Sequence, residues 1–175
     1  MRLSVVIPSG KDHLLGKTVE SLVADDVEVI PVLDGWTTEL PEDPRIRPIY
    51  LPEAKGMRGA FNAGLAVATG DFVMKSDSHC LYAPDYFKMT DDCQENWLMI
   101  PRRYSLSEST WSRSESRPFY DYHILSSPYT GHYGYDMAVL TDRASTSKKL
   151  DTPIDDTMIF QGSCWLANRE YFMER

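Results

Sequence analysis

Positive charge is what this chain most lacks. Its 18 Lys and Arg residues are outnumbered by 26 Asp and Glu, for a net charge of −8. A non-specific binder of duplex nucleic acid carries a basic face, so that class is disfavoured. One locally basic stretch remains, Arg102, Arg103, Arg113 and Arg117, which reads either as a solvated loop or as a surface for an acceptor. Cysteine is also scarce. Cys80, Cys93 and Cys164 show no paired spacing, which argues against a disulfide framework and favours a reducing compartment. No apolar run is long enough to span a bilayer. No charged segment followed by an apolar one precedes the first strand pattern, so no signal peptide is expected. The expectation is a soluble, cytoplasmic protein. Nothing in the sequence sets its oligomeric state.

What is present is enough for one domain with a sizeable core, in 175 residues. Leu3 to Pro8 is a continuous apolar, β-branched run, the pattern of a strand buried on both faces. Ser9-Gly10 breaks it, and Leu14, Leu15, Val19, Leu22 and Val23 then recur at helical spacing. Val27 to Leu33 reads as a second buried strand, ending at Asp34-Gly35. Ile46 to Leu51 reads as a third, with Pro48 suited to an edge or a bulge.

Gly59, Ala60, Ala63, Gly64, Leu65, Ala66 and Ala68 form a small-residue helix. Glycine is a poor helix former, and makes sense where a helix lies very close to a sheet or a ligand. Phe72 to Ser76 is the fourth strand. The order strand, helix, strand, strand, helix, strand predicts an α/β fold with a mostly parallel central sheet.

Later elements are less regular. Pro84 to Cys93 reads as a helix, Trp97 to Pro101 as a strand, Met158 to Ala167 as a strand around Gly162, and Asn168 to Arg175 as the start of a helix. The Ser-, Tyr- and Arg-rich stretch 105–147 is either a loop for an acceptor or an insertion of short strands. The last helix opens with Tyr171, Phe172 and Met173 and is not completed, so the chain is expected to be C-terminally truncated.

Ligands of such sheets collect beyond the carboxyl ends of the strands. Ser9, Asp34 and Asp77 all fall at such ends. In Asp77-Ser78-His79-Cys80 a carboxylate and an imidazole stand two positions apart at the end of a strand. That pair can bind one divalent cation, Mn2+ or Mg2+, and the cation can hold the diphosphate of an activated donor. The alternative is a plain surface Asp and His.

Leu3-Ser4-Val5-Val6-Ile7-Pro8, Asp34, Ala60-Phe61-Asn62-Ala63-Gly64 and Ala66 to Asp71 together resemble the nucleotide-diphospho-sugar transferases of the GT-A fold, in particular family 2 glycosyltransferases. Phe61 stands where that family usually has Arg, and Arg58 supplies a charge one turn earlier. Asp77-Ser78-His79-Cys80 is similar to the Asp-Ser-His-Cys of polypeptide N-acetylgalactosaminyltransferases, as are Gln161 to Trp165 and Arg169 to Phe172.

The resemblance implies one GT-A domain over 1–175, with a nucleotide-sugar half at 1–93 and an incomplete acceptor-side half at 94–175. It implies transfer of a hexosyl or N-acetylhexosaminyl group from a UDP-sugar; the Asp-x-His likeness suggests that the anomeric configuration is retained, and an inverting transfer with Asp155 or Asp156 as base stays open. Asp77 and His79 would be the metal ligands and catalytic groups. Asp34 would read the uracil. Pro8, Ser9, Arg58, Ser78, Gly162 and Ser163 would line the donor. Protein, glycan, lipid-linked and nucleic-acid acceptors all remain open.

Other residues carry two readings each. His123 and His132 are candidates for a third metal ligand or ordinary loop residues, and Asp155 and Asp156 are acceptor-side carboxylates or a solvated turn. Trp111, Tyr129, Tyr133 and Tyr135 stack on a sugar or fill a core. The three cysteines read as packing residues. Two other functions stay in play. One is a truncated module that binds UDP without turnover. The other is a nucleotidyltransferase, for which Ile7-Pro8-Ser9-Gly10-Lys11-Asp12 is only thinly like a phosphate loop.

Overall fold

The computed structural model describes residues 2–115, 154–156 and 162–174, together with the backbone of 122–125 and 139–142. Two compact units are present, one formed by 1–100 with 162–175 and the other by 101–161.

The first unit is built on a six-stranded sheet. Its strands are β1 (Leu3–Ser9), β2 (Val27–Asp34), β3 (Ile49–Leu51), β4 (Phe72–Ser76), β5 (Leu98–Met99) and β10 (Cys164–Asn168). Their order across the sheet is β3-β2-β1-β4-β10-β5. β1 pairs in parallel with β2 and β4, and β2 with β3, whereas β10 runs antiparallel to β4 and β5. The fold is therefore α/β with a mostly parallel central sheet.

The alternation of side chains along each strand sorts the core into two layers. On one face, Leu3, Val5 and Ile7 of β1 meet Leu15, Val19 and Leu22 of α1 (Leu15–Leu22). On the other, Val6, Ile30 and Val32 meet Ala60 and Leu65 of α2 (Gly56–Leu65). Both layers are almost fully dry, which is why β1 and β2 read as unbroken apolar runs. α2 lies tight on the sheet because of Gly64: a Cβ there would stand 2.4 Å from Val6 Cγ1 and 3.0 Å from Val32 Cγ2. This is the close approach that the glycines of this helix foretold.

The third strand is shorter than its sequence suggests. Ile46 makes an isolated parallel bridge to Val29, and the continuous ladder resumes only at Ile49 opposite Val32. Pro31 and Pro48 both fall in the gap, and neither has an N–H to donate. Pro84 to Cys93 is not one helix. It is a 3-10 turn, Tyr86–Lys88, running into the single turn α3 (Met89–Asp92). Asp91 and Asp92 oppose the helix dipole at its C-terminal end. β5 holds only Leu98 and Met99 of the expected Trp97 to Pro101. β10 begins at Cys164, after a turn at Gly162-Ser163; positions 157–161 lie outside the described residues. α4 (Arg169–Met173) follows, capped by Asn168, whose side chain accepts from the Tyr171 N–H at 3.0 Å.

In the second unit, β6 (Leu106–Ser107) pairs with β7 (Ser112–Arg113), and β8 (Tyr122–Leu125) with β9 (Val139–Asp142), both antiparallel. The Arg113 guanidinium lies 4.0 Å over the Tyr104 ring. Among the described residues, no helix is long and apolar enough to cross a membrane.

Candidate functional site

β1 leads through α1 to β2 on one side, and β3 leads through α2 to β4 on the other. The chain direction across the sheet therefore reverses between β1 and β4. In open α/β sheets the crevice beyond the carboxyl ends at such a reversal is where ligands bind. The segments leaving β1 and β4 there are Gly10 to Leu14 and Asp77 to Cys80.

The two segments are tied together by one carboxylate. Asp12 Oδ2 accepts from the Ser78 hydroxyl at 2.6 Å and lies 2.9 Å from His79 Nδ1. Its Oδ1 accepts the Leu14 N–H at 2.9 Å, at the entry to α1. Burial pushes the Asp12 carboxyl up, but the bonds from Ser78, His79 and Leu14 outweigh it and hold its pKa below the ordinary value. Thr18 in α1 fixes the same loop: its hydroxyl donates to the Ser78 carbonyl at 2.9 Å and accepts the Cys80 N–H at 3.0 Å. Ser78 is buried, whereas the His79 ring is more than half exposed.

Asp77 is held differently. The Lys75 ammonium donates to Asp77 Oδ1 and to the Gly162 carbonyl. The Asp77 N–H donates to the Ser163 carbonyl at 2.9 Å. Gly162 and Ser163 thus stand beside Asp77, joined to it through the backbone and through a lysine.

At the end of β2, the Asp34 carboxylate accepts the Lys55 N–H at 2.7 Å and the Gly56 N–H at 2.8 Å, and so fixes the first turn of α2. Gly35 beside it has φ +75° and its α-hydrogen faces Ala54, where a side chain would clash. Pro8 is half-buried and Ser9 buried at the end of β1; the Ser9 hydroxyl donates to the Gly10 carbonyl at 2.7 Å. The Ser9 carbonyl in turn accepts the Trp36 indole N–H at 2.7 Å. Arg58 is exposed on α2, and its side chain makes no hydrogen bond or ion pair among the described residues.

Three residues of the site were not singled out from the sequence, Asp12, Thr18 and Lys75. Lys75 had a readable signal, because a charge inside an apolar strand two positions before Asp77 shares its face. Asp12 had a weaker one, an Asp just ahead of a helical pattern. Asp155 and Asp156 are exposed. His132, Tyr129, Tyr133, Tyr135 and Arg117 lie outside the described residues, as does the side chain of His123.

Among the described residues, no group of three or more His, Cys, Asp or Glu side chains is arranged to hold a metal. The thiols are unsuited to it. Burial pushes Cys164 up to about 12 and raises Cys80, with the charge of Asp77 adding to the latter. Asp77 and His79 do fit a hard or borderline divalent cation by donor type, one oxygen and one imidazole, both reachable by solvent.

The profile of glycosyl transferase family 2 matches residues 4–175. The chain belongs to that family. An uncharacterized glycosyltransferase of Nostoc sp. is 34% identical to this family 2 chain over 97 residues, which is 48% of this chain and 30% of the relative. Among solved structures, residues 1–349 of TarS from S. aureus match at 22% identity and a TM-score of 0.44, covering 53% of this chain and 32% of that one. A mannosyltransferase from Pyrobaculum calidifontis, solved with GDP-Man and Mn2+, matches at 24% identity and a TM-score of 0.41, covering 48% and 29%. The chain thus spans about a third of the length of these proteins.

Proposed function

We propose that this chain is a metal-dependent glycosyltransferase domain that moves a hexosyl or N-acetylhexosaminyl group from a UDP-sugar to an acceptor. The observation that carries this reading is the position of Asp77-Ser78-His79 on the segment leaving β4, at the reversal point of the sheet, in a member of family 2.

Asp77 and His79 would hold Mn2+ or Mg2+, with diphosphate oxygens among the remaining ligands. When bound, the cation supplies charge neutralisation for the departing UDP. The chain's own residues do the positioning. Asp12, Ser78 and Thr18 hold the loop that presents His79. Lys75 holds Asp77 against the Gly162-Ser163 turn, which would border the sugar. Asp34 would read the uracil N3–H with the lone pairs that its two backbone bonds leave free. Arg58, unengaged on α2, would meet the diphosphate, and the Pro8-Ser9 backbone would border the ribose.

Retention is proposed from the likeness of Asp77-Ser78-His79-Cys80 to the Asp-x-His group of retaining transferases. On this reading residues 1–93 form the nucleotide-sugar half and 94–175 the acceptor-side half of one domain. The acceptor is a protein, a glycan, a lipid-linked saccharide or a nucleic acid.

A second reading is a module that binds UDP or a UDP-sugar without turnover; the chain spans 30% of its Nostoc relative. Release of UDP from a panel of UDP-sugars, with Mn2+ and with Asp77→Asn and His79→Ala as controls, separates the two. Metal-dependent release lost in both variants supports the transferase. Binding without release supports the module. Binding of no UDP-sugar overturns both.

A further inference from the structure

Lys75 is a charged residue in a strand otherwise built from Phe72, Val73, Met74 and Ser76, and it is 3% exposed. A buried ammonium is costly unless paired and hydrogen-bonded. Its neighbours in register are Val6 on β1 and Trp165 on β10, and neither offers a charge. Its acceptors are Asp77 Oδ1 and the Gly162 carbonyl. Among the described residues Asp77 is its only charged partner. One of the three ammonium hydrogens is left without a described acceptor.

The pairing works in both directions. Asp77 presents one oxygen to Lys75, so the pair is neutral as a unit. A divalent cation drawn to Asp77 meets an ammonium on the same carboxylate. Like charges that close repel, and the Lys75 side chain is almost fully buried, so water screens its charge little. A nucleoside diphosphate brings the negative charge that covers both, and it is also an acceptor of the kind the third ammonium hydrogen lacks. We infer that Lys75 makes cation binding at Asp77 conditional on the nucleotide diphosphate, so that bare cation is turned away and cation arriving with the diphosphate is held. Lys75 is thus a positioning residue, acting through Asp77. The inference rests on the donor-site reading above.

The test is a Mn2+ titration followed by the EPR signal of the free ion, on the whole chain, with and without UDP, for the native protein, Lys75→Met and Lys75→Arg. Asp77→Ala gives the baseline for ions held elsewhere on this acidic surface. UDP is expected to tighten Mn2+ binding to the native protein at least about tenfold, and a coupling of this kind is reciprocal. Lys75→Met is expected to bind bare Mn2+ at least about tenfold tighter than the native protein and to gain less from UDP. Lys75→Arg should follow the native protein.

The sign separates this role from a structural one, since loosening the loop would weaken Mn2+ binding. Unchanged or weaker binding of bare Mn2+ by Lys75→Met overturns the inference. Should that variant not fold, native protein that binds Mn2+ equally well with and without bound UDP overturns it alone. In both cases UDP still binds and the donor site stands. If UDP binds neither with nor without Mn2+, the donor-site reading falls and the inference with it.

Discussion

Asp12 Oδ2 and His79 Nδ1 lie 2.9 Å apart, although the two residues come from segments following different strands. An ionised carboxylate can only accept, so the ring carries a proton on Nδ1 and leaves Nε2 as its outward donor atom. A partner of this kind fixes both the tautomer and the orientation of a metal-binding histidine. The same carboxylate secures the entry to α1.

Replacing Asp12 should therefore cost two things. Asp12→Asn keeps an acceptor but presents an amide, which disrupts the pairing with His79. Mn2+ affinity in the presence of UDP should fall by roughly 10–100-fold. Asp12→Ala should in addition lose about 1 kcal/mol of stability with the Leu14 bond. Calorimetric titration and urea unfolding measure the two effects separately. Unaltered Mn2+ affinity in Asp12→Asn would remove Asp12 from the site.

Acid sensitivity should come in large part from Glu28, which is fully buried at the opposite end of the sheet from the site. Burial pushes its carboxyl up. Hydrogen bonds from Ser4 at 2.5 Å, from the Thr69 N–H at 2.6 Å and hydroxyl at 2.9 Å, and from Arg47 outweigh it, so its pKa is lowered. A group held below its unfolded value contributes stability that is fully present above that value, about 4.3 for glutamate. This stability is lost as pH falls through the folded value. Urea midpoints of the native protein should decline below about pH 4.3, and those of Glu28→Gln should decline less. At pH 7 Glu28→Gln should be less stable by about 1–3 kcal/mol, because the hydrogen bonds from Ser4, Thr69 and Arg47 lose their charged acceptor.

Two glycine substitutions should move stability in opposite directions. Gly64→Ala drives a Cβ into Val6 and should cost about 1–3 kcal/mol despite its better helix propensity. Gly16→Ala, on α1, meets nothing within 4 Å and should gain about 0.5–1 kcal/mol. Thermal unfolding of both decides it. A stabilised Gly64→Ala would mean that α2 does not lie as close to β1 as described.

The parallel core was legible because β1, β2 and β4 are buried on both faces, and such strands announce themselves as apolar runs bounded by Ser9-Gly10, Asp34-Gly35 and Asp77. The glycine-rich α2 was legible for the same local reason. The break in the third strand was not, because it depends on Pro31 and Pro48 meeting across two strands. Within the site, Asp77 and His79 stood out by spacing, yet their immediate partners did not. Asp12 reaches His79 across 67 positions, Lys75 reaches Gly162 across 87, and Asp34 reaches Gly56 across 22. Tertiary folding makes those pairs, and no local pattern encodes them. Asp34 shows the consequence: read from its neighbours it is a strand-end carboxylate facing a ligand, and in the fold its oxygens also hold the start of α2.

The most direct test of a donor site at Asp77 is a thermal-shift titration with UDP, with and without Mn2+, on the native chain and on Asp77→Ala. Each shift is read against that protein's own ligand-free midpoint, since Asp77→Ala also leaves Lys75 without its carboxylate. Ligand at about a hundred times its dissociation constant adds roughly 2.7 kcal/mol, which raises the midpoint of a domain this size by roughly 5–10 °C. A rise of that order is expected with UDP and Mn2+ together, and its loss in Asp77→Ala. No rise in the native chain, or an equal rise in the variant, would contradict a donor site at Asp77.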